Sequence, residues 1–261
     1  MAIQHVTNEY QIPRGRVLFD PFDANGALTG EEEFGNCPSF TIAIETTKAE
    51  HFSSETGLKQ KDAAVTVEVN RTAKVECDNI SASVLANFLS GSLETVTQNS
   101  GSVTDETIVV KKGRQYQLGR SESNPAGARN ITNVVVTNAG ATTTYVLGTD
   151  YAVDLELGRL QILSGGAIAD GTIKVDYDKA SKTWSRIKTG AVAELAGAIR
   201  VIADNASGEN RDFYLPKVNL TPEGDLPVIA EGTDFVKVTF SVEILKPANA
   251  EALYVDGRPV A

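Results

Sequence analysis

The side chains best suited to chemistry are few and scattered. The chain has two histidines, His5 and His51. One lies in an aperiodic N-terminal stretch and the other in a polar, charged segment. A zinc centre built on them needs further ligands at short spacing, and neither a C-x-x-C nor an H-E-x-x-H pattern is present. The G-x-S-x-G, G-x-x-x-x-G-K-[ST] and G-x-G-x-x-G patterns are also missing, so nucleophile elbows, P-loops and dinucleotide folds gain no support.

The carboxylates give three patterns. Asp23, Asn25, Gly26 and Glu32 fall at positions 3, 5, 6 and 12 of a calcium-loop register, but Pro21 occupies position 1 and no helices flank it, so a hairpin turn is expected. Asp150 and Asp154 would share a face if both lay in one strand. A glycosidase pair would also need an aromatic sugar platform, and only Tyr145 and Tyr151 are near. Glu31, Glu32 and Glu33 form a short acidic run, read as a solvated loop or as the acidic lining of a channel. The cysteines, Cys37 and Cys77, could form one disulfide. In a long chain poor in cysteine they are expected as two reduced, buried thiols. No catalytic residue, metal ligand or cofactor site is therefore assigned, and a non-enzymatic protein is expected.

The elements that must position these residues read as strands. Phe40, Ile42 and Ile44 alternate with polar neighbours, as do Val65, Val67 and Val69, which is the period of a half-buried strand. Between them Thr46 to Asp62 reads as a long polar loop, a length usually tied to function. Further strands are expected at 16–20, 107–110, 133–137, 143–147, 151–154, 159–163, 172–177, 184–188, 198–202, 213–220, 226–229 and 235–245. Asp78 to Gly91 is the one good helix, with Ser81 as N-cap, an apolar stripe of Val84, Leu85, Phe88 and Leu89, and Gly91 as the left-handed residue closing it. Ser92 to Asp105 reads as a flexible connection. The fold class expected is all-β with one short α-helix.

Charge divides the chain. Its net charge is −10 over 261 residues. Residues 106–180 hold eight basic and eight acidic residues, so the whole excess lies outside them. A neutral small β-sandwich, 106–180, inserted into an acidic host domain of 16–105 and 181–261 behind an N-terminal arm, 1–15, accounts for this. No basic run suits phosphate binding. No apolar run is long enough for a membrane helix, and without a secretory signal, synthesis in a cytoplasm is expected.

Several stretches carry a resemblance. Gly15-Arg-Val-Leu-Phe-Asp-Pro-Phe-Asp-Ala-Asn-Gly, Phe34-Gly-Asn-Cys-Pro-Ser-Phe, the run from His51-Phe-Ser-Ser-Glu-Thr-Gly to Val65-Thr-Val-Glu-Val-Asn-Arg-Thr, and Asp78-Asn-Ile-Ser resemble the first part of the major tail tube proteins of long-tailed, siphovirus-type bacteriophages. Leu195-Ala-Gly-Ala-Ile-Arg-Val-Ile-Ala-Asp-Asn, Leu215-Pro-Lys-Val-Asn-Leu, Pro222-Glu-Gly-Asp-Leu and Val238-Thr-Phe-Ser-Val-Glu-Ile-Leu are similar to that family's C-terminal strands. The middle segment departs from the minimal pattern.

The resemblance implies a tail-tube fold of two packed sheets, flanked by a helix, in a virion structural protein. It implies homo-hexameric rings that stack into a tube, with their inner sheets joined as one β-barrel around the lumen. Tape measure protein would lie inside, terminator and distal tail proteins at the ends, and double-stranded DNA would pass without specific binding. The protein would be made in the host bacterial cytoplasm and end in the virion tail. His51, Phe52, Glu55, Lys59 and Lys61 are then the candidate inter-ring loop. Tyr10, Ile12 and Arg14 form a candidate interface arm, and Glu31, Glu32 and Glu33 a candidate acidic lumen. The alternatives are a tail terminator, a decoration protein, or an Ig-like adhesion module.

Overall fold

A computed structural model describes residues 9–55, 57–190 and 194–258. Its elements run β1 (Gly15–Pro21), β2 (Glu32–Glu33), β3 (Ser39–Ser53), β4 (Gln60–Cys77), α1 (Ala82–Phe88), β5 (Gly91–Gln98), β6 (Gly101–Val110), β7 (Gln115–Gln117), β8 (Ile131–Asn138) and β9 (Tyr151–Asp154). They continue with β10 (Arg159–Ile162), β11 (Gly171–Lys179), β12 (Lys182–Thr189), β13 (Leu195–Ala203), β14 (Arg211–Glu223), β15 (Val238–Ile244) and β16 (Tyr254–Gly257). The protein is all-β with one short helix.

Two compact units divide the chain, one of residues 1–93 with 187–261 and one of residues 94–186. The boundary falls within β5 and β12, which pair as a two-stranded ribbon. Unit 94–186 carries ten basic and ten acidic residues, so the net charge of −10 belongs to the other unit. Ser92 to Asp105, expected as a flexible connection, is instead most of β5 and the first half of β6. Its serines and threonines sit on open strand faces, where β-branched and hydroxyl side chains are well tolerated.

In the first unit the strands hydrogen-bond into one sheet, ordered β2-β1-β13-β14-β15-β4-β3 with β16 also on β14, rather than into two. β14 makes this possible by changing partners along its length: Arg211–Tyr214 face β16 and Val218–Glu223 face β15. Alternation in β15 buries Val238, Phe240, Val242 and Ile244. Phe240 stacks on Phe34 at 5.6 Å between ring centres and meets Phe88 of α1 edge-on at 5.8 Å. α1 starts as expected, with the Ser81 hydroxyl accepting from the Val84 amide at 3.2 Å. Its end differs: Ser90, at φ 48°, takes the left-handed position, and Gly91 opens β5. Gly91 is needed there because a Cβ would lie 2.6 Å from the Lys188 carbonyl oxygen.

In the second unit two three-stranded antiparallel sheets, β6-β11-β8 and β7-β10-β9, contribute to one core built on Val110, Val136, Tyr151, Leu160, Ile162 and Ile173. Residues 143–147, expected as a strand, make only two isolated bridges, Thr144 to Thr137 and Leu147 to Tyr151. Gln98 is buried but satisfied: its amide donates to the carbonyls of Arg129 and Ala180, both at 2.7 Å, and accepts from the Arg129 amide. A buried amide left unpaired would be costly.

Candidate assembly surface

β4 is the longest strand, and from Val69 to Cys77 its inward face reads Val69, Arg71, Ala73, Val75 and Cys77, apolar but for Arg71. β15 pairs only with Thr72–Cys77. There Ala73, Val75 and Cys77 are fully covered. Beyond that point only β3 accompanies β4, and Val69 on the same face is 42% exposed; Val67, at a bulge in the pairing with β3, and Val65, on the other face of the ribbon, are each 63% exposed. Ile44 of β3, opposite Arg71, extends the strip. A core-type face thus runs out of the core into a two-stranded ribbon, a structure marginally stable alone in water. The outer edge of the ribbon, β3, ends the sheet order with no neighbouring strand among the described residues, which makes it a template for another chain.

The structure corrects the loop expected over Thr46 to Asp62. β3 and β4 continue through it, to Ser53 and from Gln60, so most of the span is strand. Both faces of an unsupported ribbon meet water, so strand residues there read as a loop. His51 and Phe52 lie on β3, Lys61 on β4, and Glu55 and Lys59 in the turn. The ribbon pairs its own charges: His51 Nδ1 lies 2.5 Å from Asp62 Oδ1, Lys61 is bonded to Glu50, and the Lys59 ammonium sits 4.7 Å from the Phe52 ring centre. Phe52 and Leu58 remain exposed beside these pairs.

The other candidates lie elsewhere on the same unit. Of the arm, residues 1–8 are outside the described residues. The rest is tied down, not extended: Ile12 exchanges backbone hydrogen bonds with residues 206 and 207, and the Asp204 amide donates to Arg14 O at 2.7 Å. Tyr10 and Ile12 still expose their side chains. Glu32 and Glu33 form β2 against β1. Glu31 accepts from Arg200 Nε at 2.7 Å, and Glu33 lies 3.8 Å from Arg16. The acidic run is therefore partly neutralised, and the Glu31 carboxylate holds the Arg200 guanidinium pKa above its ordinary value. The sequence reading missed a groove beside β1 that joins Arg14, Arg16, Arg211 and Arg258 to Phe40 and Phe213. Basic residues dispersed over two strands and two loops leave no run to detect. Residues 226–229, expected as a strand, are irregular, and Val228 and Ile229 stand almost fully exposed.

The catalytic patterns do not assemble. Asp23 spends Oδ1 on the amides of Asn25 and Ala27, closing its turn around Gly26 at φ 79°. Asp150 lies before β9, not in it, so it shares no strand face with Asp154; it accepts from the amides of Val146 and Ala167. Among the described residues no group of three histidine, cysteine or acidic side chains could hold a metal, and no helix is long and apolar enough to cross a membrane. No curated protein matches the chain. Residues 10–252 match the model of a family described as "Protein of unknown function UCP028589", and the chain belongs to that family.

Proposed function

We propose that this protein is a structural subunit that polymerises through its β3–β4 ribbon into the tail tube of a long-tailed phage. The observation carrying the reading is the apolar face of β4, which leaves the core and continues exposed through Val69 and, on β3, Ile44, with Val67 and Val65 also exposed farther along the ribbon. An exposed apolar strip beside an unpaired strand edge is what association between copies covers. A ribbon that inserts beside a neighbour's sheet, away from its own symmetry-related patch, makes a head-to-tail contact, and such contacts close into rings or extend into filaments.

The motif resemblance supplies the ring and the tube; the charge suits the cargo. With −10 on each subunit, a hexameric ring carries about −60, and a wall bearing part of that charge repels DNA rather than holding it. Tape measure, terminator and distal tail proteins are the partners the reading implies. Negative-stain electron microscopy of the purified protein tests it. Hollow tubes or stacked rings are expected; a monomer that stays monomeric at every concentration rejects it.

A further inference from the structure

Cys37 and Cys77 meet at the base of the ribbon. Their sulfurs are 3.2 Å apart and unbonded. Cys77 ends β4 and is completely buried; Cys37 stands two residues before β3, half-buried, and lines the groove beside β1. Neighbouring bonds hold the two segments together: the Asp78 amide donates to Asn36 O at 3.1 Å, and the Asn36 side-chain amide donates to both Asp78 carboxylate oxygens at 2.7 and 2.8 Å. Ser39 and Glu76 are then the first paired residues of the ribbon.

We propose that Cys37 and Cys77 are a dithiol site that closes into an intramolecular disulfide when it meets a low-molecular-weight disulfide. The accessible sulfur reacts first. Cys37, as thiolate, attacks the small disulfide, forming a mixed disulfide and releasing one thiolate. Cys77 then gives its proton to solvent and attacks the Cys37 sulfur, expelling the second thiolate. Two protein thiols and one small disulfide become one protein disulfide and two small thiols, so electrons balance. Hydrogen bonding to Cys37 and burial both hold the Cys77 thiol protonated well above the ordinary range. That makes Cys77 the resolving and not the attacking group. In a thiol-rich cytoplasm the pair stays reduced. Once closed, it ties the ends of the β3–β4 hairpin into one loop running from residue 37 to residue 77, far from the tip.

The test incubates the full-length protein with oxidised glutathione in non-denaturing buffer. Expected are loss of both titratable thiols, an intact mass lower by two hydrogens, faster migration on a non-reducing gel, and a Tm higher by roughly 5–10 °C that dithiothreitol reverses. Phenylarsine oxide, which bridges two neighbouring thiols, should bind one per chain. Cys77→Ser should retain a glutathione adduct on Cys37, whereas Cys37→Ser should stay unmodified. Thiols that remain free, an adduct on wild type that never resolves, or oxidation only to intermolecular dimers would each overturn the proposal. If either variant does not fold, arsenical binding by wild type decides, because failure to bind one equivalent rejects a contacting dithiol.

Discussion

Val75 and Val67 both belong to β4, yet Val75 is 0% exposed and Val67, at a bulge in the ribbon, is 63% exposed. What separates them is β15, which stops pairing at Thr72. A side chain doing no packing in the single chain is free to pack in a polymer. Val67→Lys should therefore change the unfolding free energy by no more than about 0.5 kcal/mol, while tubes or rings fail to form. Chemical denaturation and electron microscopy of the same sample check both halves. Val75→Ala should do the reverse in order: about 2 kcal/mol of stability is lost first, and any loss of assembly follows from unfolding.

Phe240 anchors the first core. It touches Phe34 on one side and Phe88 on the other, which joins β15, the segment before β3, and α1. Phe240→Ala should cost about 3–5 kcal/mol, with loss of the cooperative thermal transition of that unit. Calorimetry should show it, and the transition of unit 94–186 should persist.

How much of this was legible in the sequence depends on which face of a strand meets what. Alternation announced β15 and β11 because one face is more deeply buried than the other. Ser81 announced α1 by its hydroxyl. The ribbon was hidden for the opposite reason. Residues 46–62 meet water on both faces, so they alternate nothing, and polar strand became loop. Ser90 shows a second limit: the left-handed turn after α1 was assigned to the nearest glycine, but Gly91 was already required by the close approach of Lys188. The arginine groove depends on strand order, which joins β13 to β1 across a long stretch of chain, and the 3.2 Å thiol contact on the β3–β4 hairpin running long enough to set residue 37 beside residue 77. No local pattern encodes that.

Asp150 gives a pH dependence with a definite sign. Its carboxylate accepts from the Ala167 amide at 2.7 Å and the Val146 amide at 2.8 Å. Those bonds, the Ala167 one first, hold its pKa below the ordinary value. The unfolded chain titrates this group near 3.9, so the folded state binds its proton less readily. The stabilisation is fully present above about pH 4 and disappears as pH falls through the lower folded value. Asp150→Asn should weaken the protein at neutral pH and flatten the acid limb of its stability curve. Equal acid dependence in wild type and variant, followed by denaturant unfolding between pH 2 and 7, would show that Asp150 plays no such part.

Residues 94–186 should fold when expressed alone. They have their own core of buried aliphatic and aromatic side chains, including Leu118, Leu160, Ile162, Ile168 and Ile173 at 0–1% exposure. Both chain ends lie on paired strands, β5 and β12, so excision leaves two strand ends side by side rather than an open loop. Arg186 and Glu94 form an ion pair at 3.6 Å near those ends, and Arg129 stacks over Trp184 at 5.6 Å. A fragment of this size buries enough surface for independent stability. Circular dichroism should give a β spectrum and one cooperative thermal transition, with Trp184 fluorescence shifting at the same temperature. A fragment lacking any transition would mean that the second core depends on the rest of the chain.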